Sequence, residues 1–215
     1  MQFPIIMILA SGGTHGDFLY HCCELMLSGS DFKINEKGQT VSSSFYKNQY
    51  FYYNGKRIPV NYKNNSNDVP YVEFSHVWYD DFKTWSSQFY FINYDDSLIP
   101  VIRDMFIKKA CNSNVEIALE TYRERWKDDV AKKFHKENFD EVFTVMCKRD
   151  KKLFKRQPGI IPIEMVKLYD YSSLVDILKN MGVFNSNHKN KLHELHSEWK
   201  LKNLDNIAQI QSILT

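Results

Sequence analysis

Seven consecutive residues, Ser11-Gly12-Gly13-Thr14-His15-Gly16-Asp17, carry the densest candidate chemistry in the chain. Gly12, Gly13 and Gly16 let a backbone turn sharply and approach a ligand closely. Thr14 offers a hydroxyl to a phosphate oxygen, and His15 can supply a cation or a proton. Asp17 would repel an anion, so its simplest role is to cap the helix that follows. An uncharged apolar run, Ile5–Leu9, precedes the loop. After it, Phe18, Leu19, Cys22, Leu25 and Met26 recur at helical spacing. Strand, glycine loop and helix start together form a common phosphate site, where loop amides converge and the helix dipole favours an anion. The ordinary alternative is a strand-to-helix turn that merely needs glycines. No lysine lies between Met1 and Asp31, so this is not the Gly-x-x-x-x-Gly-Lys-Ser/Thr loop.

His76 is the second candidate. It follows Ser75 at the predicted carboxyl end of a strand, where an imidazole with a near-neutral pKa can act as general base. A histidine that only hydrogen-bonds within a loop is the alternative. Arg103, on the helix after the third predicted strand, is a candidate phosphate clamp. Residues 148–156 form a basic cluster, either an anion contact or a solvated helix end whose charges suit the dipole. His193 and His196 have the i, i+3 spacing of a metal pair, but nothing completes the set, and a solvated helix face is the plainer reading.

Positioning these groups requires an alternating fold. Strands are expected at residues 5–9, 71–74, 89–93 and 160–168. Helices are expected near 17–26, 97–111, 115–133, 138–154, 174–181 and 187–207. Asn54-Gly55 between two β-prone runs marks a hairpin near 45–62, inserted into the alternating pattern. Its aromatic residues suit either a substrate-stacking flap or a self-association surface, and the latter would make a homodimer. The expected fold is therefore a single α/β domain over residues 1–215, with a mainly parallel sheet flanked by helices. Ligands of such sheets sit beyond the carboxyl strand ends. That rule gathers residues 11–17, Ser75-His76, 93–96 and Tyr169-Asp170 into one site.

Bulk properties exclude several classes. With 28 basic and 26 acidic residues and a net charge of +2, the chain has no global nucleic-acid footprint. No stretch is long and apolar enough to span a membrane, and the N-terminal run does not read as a signal peptide. The four cysteines include no CxxC pair and read as reduced thiols in a cytoplasmic protein.

The pattern resembles the sulfotransferase family, a branch of the P-loop nucleotide-binding fold. Residues 4–19 resemble the family's first strand and 5′-phosphosulfate loop. Phe74-Ser75-His76 resembles its strand-end Thr-His, and residues 163–182 resemble its late strand, Tyr-Glu-Asp motif and Leu-Gly-ended helix. The resemblance implies His76 as catalytic base. It also implies 3′-phosphoadenosine-5′-phosphosulfate bound by Ser11, Gly12, Gly13, Thr14, His15, Gly16 and Asp17. Ser97 and Arg103 would stand in for the family's 3′-phosphate ligands. The implied reaction is sulfuryl transfer to a hydroxyl or amine of a small-molecule or glycan acceptor. The missing loop lysine supports an alternative, a catalytically degenerate protein of the same fold that binds a nucleotide or another protein.

Overall fold

The protein is described by a computed structural model that covers residues 5–42, 50–53, 56–59, 71–75, 88–110, 113–125 and 135–215. Its organising element is β1 (Ile5–Leu9), which lies between β6 (Tyr71–Ser75) and β7 (Gln88–Asn93). The fourth strand of this sheet, β8 (Ile160–Glu164), pairs with β7. The order is β6-β1-β7-β8, and every pairing is parallel.

An uncharged β1 is what a parallel strand covered on both faces requires. Successive side chains point to opposite faces, and the core divides accordingly. Ile6, Ile8 and Ala10 join the larger cluster with Phe18, Leu19, Cys22 and Cys23 of α1 (Gly16–Ser28). Met7 and Leu9 meet Phe91 and Phe154 on the other face. Cys22, Cys23 and Cys147 are free, buried thiols, and burial pushes Cys147 up to about 12.

Between β7 and β8 run α2 (Ile99–Ala110), α3 (Val115–Arg125) and α4 (Phe139–Lys155). Pro100 falls in the first turn of α2, where a missing N–H costs nothing. After β8 come α5 (Tyr171–Asn180), α6 (Lys189–Lys202) and α7 (Leu204–Leu214). The α/β class with a parallel sheet flanked by helices is thus observed. None of the helices among the described residues is long and apolar enough to cross a membrane.

Four expectations are corrected. The strand read as 160–168 stops at Glu164, and a 3-10 turn, Met165–Tyr169, carries the chain to the Asp170 cap of α5. There Asp170 Oδ2 accepts from Ser173 N at 2.8 Å. The helix read as 187–207 is two helices broken at Asn203. That residue is buried, and its amide donates to Gly38 O at 3.1 Å and Trp199 O at 2.8 Å. In consequence Leu204 is 49% exposed, while Ile207 and Ile210 are buried. Residues 31–44, where no strand was expected, contain a short antiparallel pair, β2 (Phe32–Ile34) with β3 (Thr40–Ser42). Asn35 Oδ1 closes its loop by accepting from the amides of Lys37 and Gln39. Lastly, Asp17 is not the cap of α1; that position belongs to His15.

The inserted hairpin is present as β4 (Tyr50–Tyr53) paired antiparallel with β5 (Lys56–Pro59), apart from the main sheet. Asn54-Gly55 and the ends of both runs lie outside the described residues. So do the second half of the helix read as 115–133, and Cys111.

Candidate functional site

The parallel register brings strand ends together. Leu9 of β1 is level with Ser75 of β6 and Phe91 of β7, and Asn93 of β7 is level with Glu164 of β8. The loop at 11–17, the end of β6 at Ser75 and residues 93–96 therefore lie at one edge of the sheet. His76 itself lies outside the described residues.

The loop is closed on itself. Ser11 O accepts from Thr14 N at 3.3 Å and from Thr14 Oγ1 at 2.7 Å, a tight turn through Gly13 at φ +87°. Ser11 Oγ lies 3.1 Å from Tyr94 Oη, whose own proton goes to Cys147 O at 3.3 Å, so Ser11 is the donor. Ser11, Thr14 and His15 are 3%, 1% and 3% exposed. The glycines serve close packing. A Cβ on Gly12 would meet the Phe106 ring at 2.8 Å, and one on Gly13 would meet Ile102 O at 2.3 Å. Helix α2 is thus seated directly on the loop.

His15 sits at the start of α1 with φ 61° and makes no side-chain cap. The amides of Gly16, Asp17 and Phe18 precede the first intrahelical bond, from Leu19 N to His15 O at 3.2 Å. The His15 ring meets Trp199 edge-on at 4.9 Å and Tyr169 at 5.7 Å between centroids. Trp199 in turn stacks on Phe18 at 3.9 Å. This aromatic wall holds His15 in place and strips it of water.

The loop does have a lysine beside it, delivered from α2. Lys109 Nζ donates to Asn203 Oδ1 at 2.6 Å and lies 3.4 Å from His15 Nδ1. A lysine ammonium only donates, so His15 Nδ1 accepts and Nε2 carries the ring proton. That Nε2 is buried and has no hydrogen-bond partner among the described residues. Burial pulls Lys109 down to about 8, with Asp17 opposing the shift. Burial, reinforced by Lys109, also holds the His15 imidazole well below its usual pKa. Lys109 and Asn203 are the members of this site that sequence reasoning passed over. The signal was a lysine in register with Leu98, Ile102, Met105 and Phe106, on the apolar face of a helix.

The remaining candidates separate. Arg103 spends its guanidinium on Asp140 at 2.5 Å and Asp104 at 2.7 Å. Ser97 is exposed in a 3-10 turn, its amide donating to Asp95 Oδ1. From the basic cluster, Lys151 reaches back to the end of β7, donating to Tyr94 O at 2.5 Å and Asp96 Oδ1 at 2.6 Å. His196 is buried, with Nε2 3.0 Å from Leu168 O, and His193 packs edge-on against Tyr171. Among the described residues no cluster of His, Cys, Asp or Glu is arranged to hold a metal ion.

Two cavities open among the described residues, and no residue of the 11–17 loop lines either. One, of about 390 Å³, lies beyond the ends of β7 and β8, between Asn93, Lys155, Glu164 and Leu214. The other, of about 630 Å³, includes Tyr169, Asp170 and Lys200 in its lining. Val166 and Leu214 border both. Tyr169 and Asp170 thus line a neighbouring cavity, separate from the one at Asn93.

Compared with protein families, curated proteins and solved structures, the chain finds no match.

Proposed function

We propose that this chain is a sulfotransferase-like protein of the P-loop nucleotide-binding fold. It would transfer a sulfuryl group from 3′-phosphoadenosine-5′-phosphosulfate to a hydroxyl or amine acceptor. One observation carries the reading: the level register of Leu9 with Ser75 and Phe91. It sets the glycine loop of the central strand beside the chain segment that continues into His76. In this reading the donor's phosphate lies against the amides of Gly16, Asp17 and Phe18, with Lys109 supplying the cation that the loop's own sequence lacks. The donor brings the activated sulfuryl group. The chain's part is to orient it and, through His76, to take a proton from the acceptor.

A second reading, a binding module without catalysis, is favoured by the burial of Ser11, Thr14 and His15 and by their internal hydrogen bonds. Calorimetry with 3′-phosphoadenosine-5′-phosphate tests the first. Binding is expected, and its absence at millimolar ligand with folded protein would sink the transferase reading. Given binding, His76→Ala should abolish sulfuryl transfer while nucleotide affinity stays nearly intact. Equal loss of both would make His76 structural.

A further inference from the structure

We propose that the seat of α6 on α1 is an acid-sensitive latch, whose release strips the Trp199 wall from His15 at the end of the glycine loop. Two imidazoles, His15 and His196, are sealed into this seam, each 3% exposed. His15 meets Trp199 edge-on, and His196 lies against Phe18, Tyr171 and Trp199. Trp199 also stacks on Phe18, so both histidines share one buried indole. The far end of the seam is tied differently. There Lys191 Nζ donates to Gly29 O at 3.1 Å and to Asp31 Oδ1 at 2.7 Å, an exposed ion pair that holds the amino end of α6 near the carboxyl end of α1.

The seam is built against a second proton on either ring. In His15, that proton would enter at Nδ1, 3.4 Å from the Lys109 ammonium, which can only donate. Lys109 is the charged group facing this ring among the described residues, and Tyr169 and Trp199 are its facing rings. His196 Nε2 lies 3.0 Å from Leu168 O, which only accepts, so Nδ1 is the nitrogen left to protonate. Around His196, Lys200 and His193 disfavour a further positive charge, and Asp170 favours one. Burial is the larger influence on both rings and holds them below the ordinary imidazole value of 6.5. A released ring titrates near that value, so the open state binds more protons. The latch is therefore closed above pH 6.5 and loosens as pH falls beneath it. It stands on these packing contacts and is independent of sulfuryl transfer.

Hydrogen exchange of the whole protein from about pH 8 to about pH 5, corrected for intrinsic exchange chemistry, reads the opening directly. Peptides from residues 189–202 and 16–28 should lose protection below pH 6.5, while β1 and β7 keep theirs. The opening constant should rise with acid by up to about a hundredfold per pH unit, tenfold for each imidazole. His196→Gln keeps a donor for Leu168 O, and His15→Asn suits a backbone at φ 61°, which asparagine tolerates. Each should flatten the slope by up to about tenfold per pH unit. His21, which lies against Tyr20 and Phe32 with Asp17 nearby, is unchanged in every variant and adds equally to each. Opening that ignores pH, or a slope that both variants leave intact, overturns the proposal. So does simultaneous loss of protection in β1 and β7, which would be acid unfolding of the whole fold. The wild-type series alone tests the first and last of these, whether or not a variant folds.

Discussion

Gly13→Ala is the sharpest probe of how the loop is held. Two costs meet at this position. The first is backbone: at φ +87° an L side chain is strained, by about 1 kcal/mol. The second is contact: the new Cβ would lie 2.3 Å from Ile102 O and 3.2 Å from Phe106 N. Neither atom belongs to a flexible side chain, so α2 must shift as a body. Ile102, Met105 and Phe106 are all buried, and overpacking such a helix costs about 1–3 kcal/mol. The sum is about 2–4 kcal/mol, or roughly 5–15 °C of unfolding midpoint for a chain of this size. Gly182→Ala is the matched control, with φ +73° and nothing within 4 Å of a new Cβ. It carries the backbone cost alone, and alanine's stiffer unfolded chain offsets part of that. Urea and thermal unfolding of both variants near neutral pH measure the difference. If Gly13→Ala is no more destabilising than Gly182→Ala within about 0.5 kcal/mol, α2 is not seated on the loop. A variant of wild-type stability that loses only nucleotide affinity would show that Gly13 serves a ligand instead.

The remaining expectations concern charge. Lys109 has a folded pKa of about 8 against 10.5 in a free chain. Between those values the unfolded state binds the extra proton, so this group adds stability as pH rises, by up to about 1.4 kcal/mol per pH unit. Buried cysteines and tyrosines, whose raised pKa values act oppositely, require a comparison with Lys109→Met. Wild type should gain stability on that variant across this window, and parallel pH curves would refute the buried-lysine geometry. Arg103→Ala should leave nucleotide affinity unchanged and cost at most about 1 kcal/mol, because its partners Asp104 and Asp140 are exposed. A large loss of affinity would restore Arg103 as a phosphate ligand.

Much of the fold was legible locally. The uncharged run of β1, the helical spacing after Asp17 and the Gly29 and Gly182 stops are each written within a few residues. So is Asp170 ahead of α5, and so is the alternation of strand and helix that implies a parallel sheet. The errors fell where a distant partner outweighs local pattern. A continuous amphipathic pattern predicted one closing helix. The break at Asn203 exists because its amide is claimed by Gly38 and Lys109, both far away in sequence, as well as by Trp199 one turn before it. The β8 strand ends early because Met165 and Leu168 turn inward into the core.

By itself, the sequence determined the strands of the main sheet, most of the flanking helices, their order and the glycine loop at the end of β1, because periodicity and turn chemistry are local properties. Tertiary structure alone decided what surrounds that loop. Helix α2 lies on Gly12 and Gly13, the Tyr94 hydroxyl meets Ser11, and Trp199 walls off His15. The lysine missing from the loop is replaced in space by Lys109, 94 residues beyond His15. Side chains separated by that much chain meet only when strands and helices pack, and no spacing rule carries such a contact.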